Sequence, residues 1–117
     1  MTRTVVEVDA LQEYLRGVLD RASHHEADVR QAILAVAGAV VLFKDPSYPI
    51  EARTYGGNTA NMLWVYFSGV RYALRYEHHN QAIELREQHN EGRLVASIDN
   101  TTPITRIIEL FQSLSLK

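Results

Sequence analysis

The stretch WVYFSGVRYALRYEHHNQAIELRE, Trp64 to Glu87, alternates large apolar residues with polar or charged ones across two short turn sequences. Successive side chains on a strand point to opposite faces, so such alternation sorts the residues into two sets. Ser68-Gly69 suits a two-residue hairpin loop, which pairs Phe67 with Val70, Val65 with Tyr72 and Leu63 with Leu74. A second turn centred on His79-Asn80 pairs Tyr76 with Ile83 and Leu74 with Leu85. Both registers put Leu63, Val65, Phe67, Val70, Tyr72, Leu74, Tyr76, Ile83 and Leu85 on one side. A slip of one residue would invert every side chain, so agreement between two independent turns specifies an antiparallel meander.

The rest of the chain supplies helices to cover that apolar side. Asp9 with Gln12 is a capping-box start, and Leu11, Leu15, Val18, Leu19 and Ala22 recur at helical spacing, predicting a helix from about Ala10 to Ala22. Ser23 is a cap for a second helix, with Val29, Ile33, Val36, Ala37, Val40 and Val41 on one side, ended by Lys44-Asp45-Pro46. The second half of this helix is apolar all round, which marks a helix enclosed between other elements. Gly38 there lowers helix propensity, and close approach of a neighbouring element is the expected compensation. Ile50 to Tyr55 reads as an edge strand, followed by turn chemistry at Gly56-Gly57-Asn58. His89 to Gly92 makes the next turn, and Leu94 to Ile98 the last strand. Thr102-Pro103 then opens a C-terminal helix, cap followed by proline at the first helical position, that buries Ile104, Ile107, Ile108, Phe111 and Leu114. The order predicts one α+β domain over residues 1–117: two N-terminal helices, a four- or five-stranded antiparallel meander and a C-terminal helix, in two layers.

With 117 residues, roughly two-thirds of the unfolded surface can be buried in a single core. A net charge of −2 disfavours a nucleic-acid partner, since gripping a phosphate backbone calls for a positive balance. The absence of cysteine excludes disulfides, thiolate nucleophiles and thiolate-held metals. The opening MTRTVVEVDA lacks an apolar segment of signal-peptide length, and the longest apolar run, Ala32 to Phe43, has 12 residues where a membrane span needs about 20. A soluble, cytoplasmic protein with no membrane partner is expected.

The other side of the sheet is unusual for a solvent face. It carries Trp64, Tyr66, Arg71, Ala73, Arg75, Ala82, Glu84 and Arg86, with Tyr66 opposite Arg71, Trp64 opposite Ala73 and Arg75 opposite Glu84. Cross-strand pairing accounts for Arg75–Glu84 and Tyr66–Arg71. It accounts poorly for Trp64, because an indole left in water gains little. Trp, Tyr and Arg are enriched at interface hot spots, and small Ala73 and Ala82 would admit a partner surface. The candidate interface is therefore Trp64, Tyr66, Arg71, Arg75, Glu84 and Arg86, and a homodimer packing sheet face on sheet face is its simplest use.

Signals for chemistry are sparse. His24, His25 and Glu26 form the one sequence-local set of metal-ligand types, but adjacent histidines point apart, and His78, His79 and His89 fall in turns, so neither a metal site nor a cofactor is expected. There is no nucleophile elbow, and Glu51, Glu77 and Glu84 read as cross-strand or solvated carboxylates. No catalytic residue is assigned, and binding is favoured over catalysis. A small-molecule pocket walled by Tyr72, Tyr76 and Trp64 is one alternative. Another comes from arrangement alone: two helices, a meander bearing Arg71, Arg75 and Arg86, and a last helix resemble the RelE/ParE toxins, some of which cleave messenger RNA. The chain departs from them in net charge and in lacking an acid/base group beside the arginines.

A closer resemblance runs over residues 56–114. Gly57 and Asn58, Trp64, Gly69 with Arg71 and Tyr72, Tyr76 with His78, Ile83 to Arg86, and Ile98 to Pro103 follow a pattern of turn, aromatic strand, G-x-R/K-Y, Y-x-H, I-E-x-R and F/I-D/N-N-T-P. This resembles the small proteins encoded by mobile integron gene cassettes. The resemblance implies a bacterial origin and a cargo gene of unknown role, and its turn and cap motifs imply a shared fold more than a shared activity.

Overall fold

The structure, a computed structural model, describes residues 11, 12, 14–16, 18, 30–55, 58–77, 80–89 and 91–117. Leu11, Gln12, Tyr14, Leu15, Arg16 and Val18 have helical backbone, and Leu11, Tyr14 and Val18 are buried in the core. The capping pair at Asp9, the Ser23 cap, Val29, the Gly56-Gly57 turn, the His78–His79 pair and the His24–Glu26 set lie outside the described residues. Helix α1 spans Arg30–Phe43. Strands β1 (Glu51–Tyr55), β2 (Asn58–Phe67), β3 (Val70–Glu77), β4 (Ala82–Glu87) and β5 (Leu94–Ile98) follow, then helix α2 (Ile104–Ser115).

The strands form one antiparallel sheet in the order β1-β2-β3-β4-β5, with β1 on an edge. Both expected registers hold, Phe67 against Val70 and Leu63 against Leu74 on one side, Tyr76 against Ile83 and Leu74 against Leu85 on the other. Ser68 and Gly69 have φ of 53° and 80°. Two consecutive positive values are what a two-residue turn of matching twist requires, and Gly69 meets the second without a Cβ penalty. Asp45 fastens this hairpin tip to the end of α1: its Oδ2 accepts from Gly69 N at 2.8 Å, its Oδ1 from Ser47 N at 2.9 Å, and its own N–H donates to Tyr66 O.

The core lies between the sheet and the helices. Leu63, Leu74 and Leu85 lie side by side across the three central strands, wholly buried, and Phe67 meets Phe111 of α2 with ring centroids 5.4 Å apart. Val70, assigned to the apolar side, is exposed at the hairpin tip.

Three expectations need correction. Pro103, not Thr102, is the N-cap of α2; its backbone is extended, and its carbonyl accepts from Arg106 and Ile107. The Thr102 hydroxyl accepts instead from Asp99 N, closing the preceding turn. Second, α2 buries Ile107, Phe111 and Leu114 but leaves Ile104 and Ile108 exposed. Third, among the described residues α1 is enclosed on one side only: Ile33, Val36, Ala37 and Val40 are buried, while Leu34, Val41 and Leu42 are exposed, and a Cβ built on Gly38 meets no described atom within 4 Å.

Candidate interaction surface

Strand alternation delivers the six candidate residues to one face, as expected. Trp64 of β2 sits beside Ala73 of β3, which sits beside Arg86 of β4; one step along, Arg75 lies beside Glu84, and Tyr66 faces Arg71 near the hairpin tip. The side chains do not behave as a solvated layer. Trp64 is 8% exposed and clusters with Met62 and Ala73, and Ala82 and Glu84 are buried as well. The single chain covers its own indole.

Part of that cover is Arg71, whose Cζ lies 5.2 Å from the Trp64 ring centroid. A guanidinium over an indole face gains from the ring quadrupole and shields the ring from water. Tyr66 is half-buried and stacks on Tyr48, ring centroids 4.1 Å apart at 13°. Tyr48 and Met62 are members of this surface that sequence reasoning missed. The edge register, Glu51 against Trp64, is the signal that would have found Tyr48, because it leads the residues before β1 toward the Tyr66 end of the face.

The ion pairs run along strands rather than across them. Arg75 Nη2 lies 2.7 Å from Glu77 Oε2, and Arg86 Nε lies 3.1 Å from Glu84 Oε1. Arg75 and Glu84 are register partners, yet each carboxylate is taken by the arginine two residues away on its own strand. Arg86 also donates to the Gly92 carbonyl at 2.9 Å, which ties the buried Glu84 to the β4–β5 turn. That turn has a strict need for glycine, since a Cβ at Gly92 would lie 1.8 Å from the Glu87 carbonyl oxygen. Arg71 differs from the other two arginines. Its Nε is buried and makes no hydrogen bond among the described residues.

The pocket alternative is not assembled by this geometry. Tyr72 and Tyr76 are buried on the helix side of the sheet, whereas Trp64 projects from the other, so the three do not wall one pocket. Arg75 and Arg86, which a ribonuclease would aim at phosphate, are held by Glu77 and Glu84. Among the described residues no three His, Asp or Glu side chains converge as metal ligands, and no helix is long and apolar enough to cross a membrane.

The turn motifs have structural work. In the Asp99–Pro103 segment, the Asp99 carboxylate accepts from the Thr101 hydroxyl and N–H, which hold it below the usual carboxylate range. Asn100 Oδ1 accepts from Ala32 N at 3.0 Å, satisfying a donor in the first described turn of α1 from a residue 68 positions away. Gly69 makes the hairpin, Ile83 is core, and Glu84 with Arg86 is the pair on the outer face. No curated protein matches the chain. The family model described as integron cassette protein VCH_CASS1 chain matches residues 11–108. Its span takes in the helical positions at Leu11, the whole sheet and the first turns of α2, and the chain belongs to this integron cassette protein family.

Proposed function

We propose that the chain is a binding domain whose outer sheet face takes an acidic group of a partner at Arg71. The observation that carries this reading is the buried Arg71 Nε, which has no hydrogen bond among the described residues. Leaving a charged donor without a partner costs free energy, and a carboxylate or phosphate presented to the half-buried guanidinium would offset that cost by pairing its charge, although Nε itself is closed to solvent. Trp64 below the guanidinium and Tyr66 beside it orient that group, and the Arg75–Glu77 and Arg86–Glu84 pairs form a neutral surround. A partner at this face meets Tyr66 and the arginines, while the indole of Trp64 serves as their floor.

The test is an NMR titration of the arginine Nε–H resonances, first with inorganic phosphate and then with a glutamate-rich peptide. The Arg71 resonance should move with either ligand, and the response should vanish in Arg71→Gln while Arg75 and Arg86 stay in place. An Arg71 resonance unmoved by both ligands would sink the reading.

A further inference from the structure

Helix α1 presents an apolar surface that the described residues leave bare. Leu34, Val41 and Leu42 are 58%, 63% and 70% exposed. The neighbouring helix adds to the same surface. Gln31, Ala32 and Ala35 share a groove of about 310 Å³ with the loop before α2, Ile104 and Ile107, while Leu42 and Phe43 share another with Ser115. The two helices therefore lie side by side with like ends together, and Ile104 lines the groove between them, with Ile108 one turn further along α2. These two residues are 62% and 41% exposed.

We infer that this surface is the contact between two copies of the chain, crossing α1 on α1 about a two-fold axis at Gly38. The sequence around Gly38 is the first reason. Residues 34–42 read LAVAGAVVL, nearly the same in both directions, with Leu34 and Leu42 each four positions from Gly38. A two-fold contact demands a self-complementary patch, and an antiparallel crossing at Gly38 sets Leu34 of each copy against Leu42 of the other. Leu34, Gly38 and Leu42 also form one i±4 row, the ridge that packs in the commonest class of helix crossing.

Charge and area point to the same occupant. The six residues Leu34, Gly38, Val41, Leu42, Ile104 and Ile108 include no charged group, so the patch meets its own copy without repulsion. Their exposed side chains leave on the order of 500 Å² per copy, which with a polar rim approaches the roughly 800 Å² per partner of a stable interface. Gly38 supplies the third reason. Glycine within a helix is unfavourable, nothing in the chain's described residues approaches it, and a crossing helix needs the close approach it permits. This inference does not rest on the Arg71 reading, which concerns the opposite layer.

Light scattering on the size-separated protein, across a wide concentration range, should give twice the chain mass for the natural sequence. Leu34→Glu and Leu42→Lys should each be monomeric with unchanged circular dichroism, since both positions are exposed in the single chain. Mixing these two variants should restore a dimer, because the two-fold register sets the new glutamate against the new lysine. In a chain without cysteine, Gly38→Cys should form a disulfide-linked dimer on mild oxidation. A natural protein that is monomeric throughout would overturn the inference. So would a dimer that survives both charged variants, or one in which Gly38→Cys does not cross-link.

Discussion

On the outward face of the sheet the largest side chain, Trp64, is 8% exposed; on the outward face of the helical layer Leu42 is 70% exposed. The sheet face has the residue types usually associated with interfaces, and it closes over itself. Long side chains make this possible: Arg71 lies on the indole, Arg75 and Arg86 reach back to carboxylates on their own strands, and Tyr48 stacks on Tyr66. The helical face has short aliphatic residues, and among the described residues Leu34, Val41, Leu42, Ile104 and Ile108 remain exposed. Residue type alone thus ranks the two faces in the wrong order for available apolar surface. What matters is whether a face carries side chains long enough to shield it.

The sharpest way to break the comparison is to truncate one large residue on each face. Trp64→Ala should lower unfolding free energy by about 3 kcal/mol in urea denaturation, as expected for deleting a buried indole. Leu42→Ala, measured in dilute protein, should change it by no more than about 0.5 kcal/mol. Equal losses at the two sites would end the distinction between a packed and a bare face. Next in size is Arg86→Ala, expected to cost about 1–2 kcal/mol because it leaves the buried Glu84 carboxylate and the Gly92 carbonyl without their shared donor. Glu84→Gln in the Arg86→Ala background should recover part of that loss, since the unpaired charge is then gone. No recovery would mean that Glu84 is better hydrated than its burial indicates.

The sheet was legible in the sequence because two turns had to agree on one register, and a one-residue error would have exposed Leu63, Leu74 and Leu85 together. The ion pairs were not, because register fixes which backbones are neighbours and leaves rotamers open; Arg75 opposite Glu84 could equally reach Glu77. The cap of α2 was misplaced by one residue because a threonine before a proline can serve either the helix or the turn, and here Asp99 N takes the hydroxyl. Apolar periodicity gave the core side of α1 and α2 correctly. It could not give how wide an arc one chain covers, which is why Val41, Ile104 and Ile108 were assigned to the core. The all-apolar run around Gly38 reads as a helix enclosed on every side, and the described residues enclose it on one side only. The candidate face was legible as a set of residues on one side, but not as a covered surface, since Tyr48 comes from outside the meander.

A smaller effect of opposite sign tests the bare face directly. Gly38→Ala should raise the stability of the dilute chain by about 0.5–1 kcal/mol, because it reduces unfolded-state freedom and its Cβ meets nothing within 4 Å. At high concentration the same substitution should weaken self-association. Destabilisation of the dilute chain would mean that something already occupies the space over Gly38.

The smallest effect concerns the joint between the two layers, where Asp45 links the end of α1 to the hairpin that carries Tyr66 and Arg71. Hydrogen bonds from the Ser47 and Gly69 N–H groups, Ser47 first, hold the Asp45 carboxyl below the usual carboxylate range. A carboxyl with a lowered folded-state value adds stability above its unfolded value and loses it as the pH falls through the folded one. The natural protein should therefore lose urea resistance on acidification below about pH 4 more steeply than Asp45→Asn. Asp99 and Glu87 are also held down, by Thr101 and Arg93 respectively, and titrate in the same window, so the difference between the two proteins is the quantity to read. The Gly69 amide should meanwhile exchange faster in Asp45→Asn at neutral pH, because an amide oxygen is a weaker acceptor than a carboxylate. Parallel acid curves with unchanged Gly69 exchange would show that the hairpin tip keeps its position without Asp45, and that the two faces are joined through the core alone.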